Sequence, residues 1–348
     1  MSKTIKNCFD DKLTYINLYN AYYRICKNRR NKSYILKFEL DLETNLINIM
    51  NELKTNTYKP GKYHEFIIYE PKQRLIKALP FKDRVVHQWY IGEFIKPFIV
   101  KRFITDTYSC IENRGTHKAV LQIQKYMQKY RRINPDYYVL KCDIKKYFYS
   151  INKDILFNIM SKYITDKKLL NLTKIIIFDD DKDRVGIPIG NYTSQYFANI
   201  YLNELDHYVK DVLKVKYYVR YMDDFVLLLD SKSECKIIKR KIEEFIEDKL
   251  KLTLNSKSKY FPNSLGVDFC GYRIFNTHRL LRKSSRKKIL KKIKKWNKKY
   301  FNNEKLDYKK IEASINSWLS HSNHCNSYKL QQSVLKKIAF DYKNIISS

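Results

Sequence analysis

YVRYMDDFVLLL, residues 218–229, sets two adjacent carboxylates, Asp223 and Asp224, between two apolar runs. Tyr, Val, Leu and Phe on both sides are the composition of buried strands. The stretch therefore reads as a hairpin with residues 217–221 and 225–229 as arms and the aspartates at its tip. Side-by-side carboxylates repel, and ionising both is costly unless a cation sits between them. Hard oxygen donors suit Mg²⁺ or Mn²⁺. Aspartates also occupy tight turns for purely local reasons, so a chemical role needs more carboxylate nearby.

DYYVLKCD, residues 136–143, supplies it: a second apolar strand ending on Asp143. If that strand pairs with the hairpin, Asp143 lies beside Asp223. Asp143, Asp223 and Asp224 then form a set able to hold two divalent ions. Such a pair of ions clamps an attacking 3′-hydroxyl and a leaving pyrophosphate during in-line displacement.

The charge balance fits that chemistry. Lys and Arg number 69 against 36 Asp and Glu, a net charge of +33 over 348 residues. An excess of this size favours a polyanion, because each phosphate contact releases condensed counterions. No apolar run approaches the ~20 residues of a membrane span, and MSKTIKNCFDDK lacks the apolar core of a signal peptide. Nucleic acid is thus the expected partner, with no membrane. Seven scattered cysteines without a CxxC pair read as reduced thiols of a cytosolic protein. His321, His324 and Cys325, in SHSNHC, lack the second ligand pair that a metal site needs and read as a polar loop between helices.

Along the chain, LDLETNLINIMNELK and RGTHKAVLQIQKYMQKYR carry apolar residues at helical spacing. YHEFII and the segment after Lys72 read as short strands. IGNYTSQYFANIYLNELDHYVKDVL reads as a loop feeding a long helix, KSECKIIKRKIEEFIEDKLKLTL as an amphipathic helix, and GVDFCGYRIF as a strand pair or turn. From about residue 280, RKSSRKKILKKIKKWNKKYF is basic and helical. Ile293 and Trp296 suggest that one of its faces packs while the other meets phosphate.

These residues together resemble the reverse transcriptases. Tyr-Met-Asp-Asp between apolar strands, preceded by Asp143-Ile144 with Phe148 five residues past the aspartate, resembles the family's palm. PKQRLIKALPFKDRVVHQWY is similar to its fingers segment, YSCIENRGTHKAV to the fingers–palm junction, and GIPIGNYTSQYFANIYLNELD to its GxPQGxxxSPxLxNxxLxxLD motif. LTLNSKSKYF and GVDFCGYRI resemble the two motifs after the catalytic turn. The resemblance runs over roughly residues 60–275. It implies an α+β, right-hand polymerase: fingers with an N-terminal extension over 1–135, an antiparallel-sheet palm over 136–278, and a basic helical thumb over 279–348. It implies RNA-directed DNA synthesis from template RNA, primer and deoxynucleoside triphosphates, with Mg²⁺ at Asp143, Asp223 and Asp224. Phe148 matches the steric gate against a ribose 2′-hydroxyl, core packing being its other reading. Arg74 and Lys72, or Lys77 in place of Lys72, match the triphosphate contacts. Ile189 and Gly190 match the wall of the nascent base pair, and Lys257 or Lys259 a lysine near the triphosphate.

Ile189 stands where the family usually has Gln, and Ser194–Gln195 where it has Ser-Pro. IGNYTSQ resembles the reverse transcriptases of diversity-generating retroelements, which miscopy adenines. That resemblance implies a cytoplasmic enzyme, bacterial or phage-encoded, with a small basic accessory protein. An antiphage-defence or retron-type enzyme, including one working without an external template, is the neighbouring reading. An inactive nucleic-acid-binding protein is the alternative outside enzymes.

Overall fold

The computed structural model describes residues 4–69, 72–178 and 183–341. Among these, nine strands form three antiparallel sheets. β1 (His64–Ile68) and β2 (Arg74–Ala78) make a hairpin. β3 (Tyr138–Asp143), β4 (Tyr218–Tyr221), β5 (Asp224–Leu229) and β6 (Lys259–Pro262) make the central sheet in the order β4-β5-β3-β6. β7 (Val267–Phe269), β8 (Tyr272–Ile274) and β9 (Arg279–Leu281) make the third. The architecture is α+β, sheets flanked by helices, as expected of a right-hand polymerase.

The central sheet is buried on both faces, which is why FVLLL is continuously apolar instead of alternating. Leu140, Cys142, Tyr218, Phe225, Leu227 and Leu229 enter one core together with the helices Tyr192–His207 and Lys232–Leu250. Val139, Val219, Val226 and Leu228 enter a second core with the helix Thr116–Arg131 and the sheet β7–β9. Successive side chains point to opposite faces of a strand, so one run of residues serves both cores.

Toward the N-terminus, helices Tyr15–Cys26, Ser33–Glu39 and Leu42–Lys54 pack around Phe81–Tyr90. Trp89, fully buried there, donates its indole N–H to the carbonyl of Lys12 at 3.0 Å. The basic run forms the helix Lys283–Phe301, with Ile289 and Ile293 buried and its lysines largely exposed. Helices Tyr308–Ser322 and Tyr328–Leu335 pack beside it. The compositional boundary at 278/279 falls between β8 and β9, which are paired strands.

Candidate active site

Antiparallel pairing of β3 with β5 sets Asp143 directly opposite Asp224. Pairing of β4 with β5 sets Tyr221 opposite Asp224, leaving Met222 and Asp223 as a two-residue turn, with Met222 left-handed at φ +57°. Residues opposite one another on paired strands share a face. The cross-strand neighbour of Asp143 is therefore Asp224, where the sequence had suggested Asp223. The difference arises because a two-residue hairpin draws Asp224 into the strand. Asp223 sits at the tip of the same end of the sheet.

The tip is held from beneath by a group that the sequence reading passed over. Arg220, wholly buried, donates from Nε to Asp206 Oδ1 at 2.7 Å and from Nη2 to Asp206 Oδ2. Its Nη1 donates to the carbonyl of Met222 at 2.9 Å and to Asn199 Oδ1 at 3.0 Å. Asp206 also accepts from Tyr218 and Thr107, at 2.7 Å each. A bidentate pair saturated in this way is the condition under which buried charge is tolerated. The signal was present in the sequence. An Arg inside an apolar strand requires a buried carboxylate, and Asp206 ends LNELD.

Burial pushes the Asp143 carboxyl up from its ordinary range, while the hydrogen bond from Asn255 and the ammonium groups of Lys141, Lys72 and Lys257 oppose the rise. Asn255 Nδ2 donates to Asp143 Oδ2 at 2.9 Å. Asp223 is raised by burial and then by the charge of Asp143, with Arg74 and Arg220 opposing. Asp224 is pushed up to about 6 by burial and by its two carboxylate neighbours, despite Lys141, whose Nζ donates to its Oδ2 at 2.9 Å. Lys141 also reaches the carbonyl of Asp268 in β7. The sequence reading missed Lys141 and Asn255. Lys141 lies two residues before Asp143, on the same face of β3, a spacing that was legible.

The remaining candidates divide into two groups. Lys72 and Arg74, both exposed, act electrostatically on Asp143 and Asp223 from the β1–β2 hairpin. Exposed Lys257 acts on Asp143, whereas Lys259 pairs with Lys141 across β3–β6 and lies over the Phe261 ring. Ile189 and Gly190 instead dock on β2. Lys77 N–H donates to the Ile189 carbonyl at 2.9 Å, and a Cβ on Gly190 (φ +131°) would meet the Lys77 carbonyl at 2.6 Å. Only glycine permits that approach. Phe148 is half-buried beside Tyr147, and its carbonyl accepts from Ile187 N–H at 2.8 Å, tying it to the same wall.

Asp224 Oδ1 is buried without a hydrogen-bond partner, a cost of about 1–3 kcal/mol for a polar atom and more for a charged one. A cation would satisfy it and offset the repulsion among the three carboxylates. Among the described residues, no three His, Cys, Asp or Glu side chains are gathered tightly enough to cage an ion alone. Mg²⁺ does not require a cage, since it is usually held by one or two carboxylates, water and substrate phosphates. The donor set fits that mode. His324 stacks on His117 with ring centroids 3.5 Å apart, and His321 bonds the Tyr272 hydroxyl at 2.9 Å. No described helix is long and apolar enough to cross a membrane.

The family profile described as reverse transcriptase (RNA-dependent DNA polymerase) matches residues 59–274. The chain is 23% identical over 306 residues to the group II intron-encoded protein LtrA of Lactococcus lactis, covering 67% of this chain and 50% of that protein. It is 20% identical over 310 residues to a COX1/OXI3 intron 2 protein of Saccharomyces cerevisiae, covering 70% of this chain and 34% of that one. The chain thus spans between a third and a half of these relatives. Among solved structures it is similar to apo telomerase of Candida tropicalis truncated from its C-terminal domain, at 13% identity and a TM-score of 0.48, covering 67% of this chain and 59% of that one.

Proposed function

This chain belongs to the reverse transcriptase family, and on that premise we propose that it is an RNA-directed DNA polymerase extending a primer on an RNA template. The observation that carries the reading is the pairing of Asp143 with Asp224 beside the Asp223 turn, with a buried carboxylate oxygen left unpartnered. Asp143 and Asp223 would hold Mg²⁺, or Mn²⁺, with Asp224 in support. The bound ions supply electrostatic stabilisation of the attacking 3′-oxygen and the leaving pyrophosphate. Arg74 and Lys72 bind the triphosphate, Arg through its planar fork. Lys257 Nζ is the proton donor to the departing pyrophosphate. Phe148 excludes a 2′-hydroxyl from its place at the edge of the core, where it packs beside Tyr147. The regions 1–135, 136–278 and 279–348 act as fingers, palm and thumb.

The finer reading is a diversity-generating enzyme that miscopies adenines, working with a small basic accessory protein. Ile189 supports it: an apolar, β-branched side chain stands where a hydrogen-bonding amide would report on the base pair, and specificity is a difference in transition-state binding. The test is primer extension on a defined RNA with Mg²⁺ and four deoxynucleotides, with products sequenced and an Asp223→Asn, Asp224→Asn variant alongside. Cation-dependent cDNA that the variant loses, with errors opposite adenine that Ile189→Gln reduces, is the expected result. Accurate cDNA from the wild type moves the protein to the retron or antiphage reading. No cDNA, even with a native RNA and accessory protein added, returns it to a binding role.

A further inference from the structure

The cations that act on the three carboxylates differ in what else holds them. Lys72, Arg74 and Lys257 are exposed. Arg220 is buried but has a carboxylate of its own in Asp206. Lys141 belongs to neither kind. Its side chain is only 20% exposed, and the carboxylate it pairs with is Asp224, at 2.9 Å. Its ammonium also donates to the carbonyl of Asp268, and the centre of the fully buried Phe269 ring lies 5.7 Å away. Asp268 and Phe269 are both on β7. The ammonium is thus enclosed by groups of the protein itself.

Register explains the contact. Lys141 stands opposite Val226 on β5, two places from the Asp143–Asp224 pair. Side chains two residues apart share a face, and a long one reaches its diagonal neighbour across the ladder. Lys141 therefore meets Asp224 Oδ2, while Oδ1 stays buried without a partner. Stability alone does not account for this arrangement. A well-matched buried pair satisfies both oxygens of its carboxylate, as Arg220 does for Asp206. One ammonium among three carboxylates leaves two negative charges unmet, the charge of a single divalent ion. Anything further has to wait for added negative charge, which a triphosphate carries.

We propose that Lys141 is a built-in counter-ion of the carboxylate site: it occupies Asp224, so that the resting chain holds divalent ions weakly until a triphosphate adds its negative charge. The proposal rests on the polymerase reading, in that it takes divalent ions and a nucleotide as the ligands of this site. Lys141 is a positioning residue, since it acts through Asp224.

The test is Mn²⁺ binding to the full chain without nucleic acid, read from the electron paramagnetic resonance signal of the free ion. Lys141→Met and Lys141→Gln remove the rival charge and should each tighten binding about tenfold, because neighbouring charges in a partly buried site interact strongly. Glutamine keeps a donor for the Asp268 carbonyl, so its result stands where methionine disturbs β7. Lys141→Arg keeps the charge and should bind within about twofold of the wild type. Lys232, exposed at the far end of β5 from Asp224, gives the control for net charge. Lys232→Gln should leave the affinity unchanged. A non-hydrolysable deoxynucleoside triphosphate, its own Mn²⁺ binding subtracted, should narrow the gap between wild type and Lys141→Met. Equal or weaker binding by both neutral variants overturns the proposal, as does a gap that the nucleotide leaves as wide. Mn²⁺ held by none of the chains overturns it together with the metal reading. If the wild type makes no cDNA while both neutral variants still bind Mn²⁺ more tightly and the nucleotide narrows the gap, the polymerase reading falls and the counter-ion stands.

Discussion

Asp224 shows how a single residue can be chosen against stability. Its pKa is pushed to about 6 from an ordinary 3.8, so ionising it at neutral pH costs the fold about 3 kcal/mol. In the folded state it binds a proton that the unfolded chain has released, over the window between those values. This contribution to stability therefore falls as pH rises through the window. Asp224→Asn should raise the denaturation midpoint at pH 7 by an amount equivalent to about 1–3 kcal/mol while abolishing synthesis. Mg²⁺ should raise the wild-type midpoint more than that of the variant, read by thermal denaturation with and without the ion. Phe148 makes a different residue-scale prediction. Phe148→Ala should admit ribonucleotides with a gain of about 100-fold in their relative kcat/KM, measured by single-nucleotide extension, and a ring used only for packing would instead lower stability without that gain.

At the scale of elements, the strands were the legible part. DYYVLKCD ends on Asp143 as read, and the basic run is one helix. Register was not legible, because it depends on where the turn closes, and a shift of one residue moved the partner of Asp143 from Asp223 to Asp224. The pairing of β9 with β8 was also hidden, since three residues carry too little pattern. Of the site, the aspartates announced themselves by being charged among apolar neighbours. Lys141 was legible from its place two residues before Asp143 on β3, whereas Asn255 passed as an ordinary polar residue, because what distinguishes it is the contact it makes with Asp143. The Arg220–Asp206 pair is where an element-scale test is sharpest. Asp206→Ala leaves a buried guanidinium unpaired and should cost about 3–5 kcal/mol. Replacing both, Asp206→Leu with Arg220→Met, should recover most of that in chemical denaturation. Synthesis should not recover, because the Met222 carbonyl has lost its donor.

Across the whole molecule, two groups of titrating side chains pull in opposite directions. His117, on the helix Thr116–Arg131, and His321, on Tyr308–Ser322, are both held below their ordinary range by burial and by neighbouring imidazoles. Stability from these contacts is full above pH 6.5 and is lost as pH falls below it, opposite in sign to that of Asp224. Mild acid should thus loosen the joint between the C-terminal helices and the sheet while the carboxylate end tightens. Hydrogen exchange at pH 5.5 and 7.5 should show helix Tyr308–Ser322 opening first. The helix Tyr192–His207 has a quieter consequence. Just ahead of it, Ile189 and Gly190 are bonded and fitted to β2, and at its other end Asp206 grips the arginine under the Met222–Asp223 turn. The helix acts as a jig that keeps the Ile189–Gly190 turn docked on β2 and the carboxylates at one fixed spacing. On the proposed function, exchanging a side chain on the Ile189–Gly190 wall should retune copying accuracy without slackening the carboxylate end.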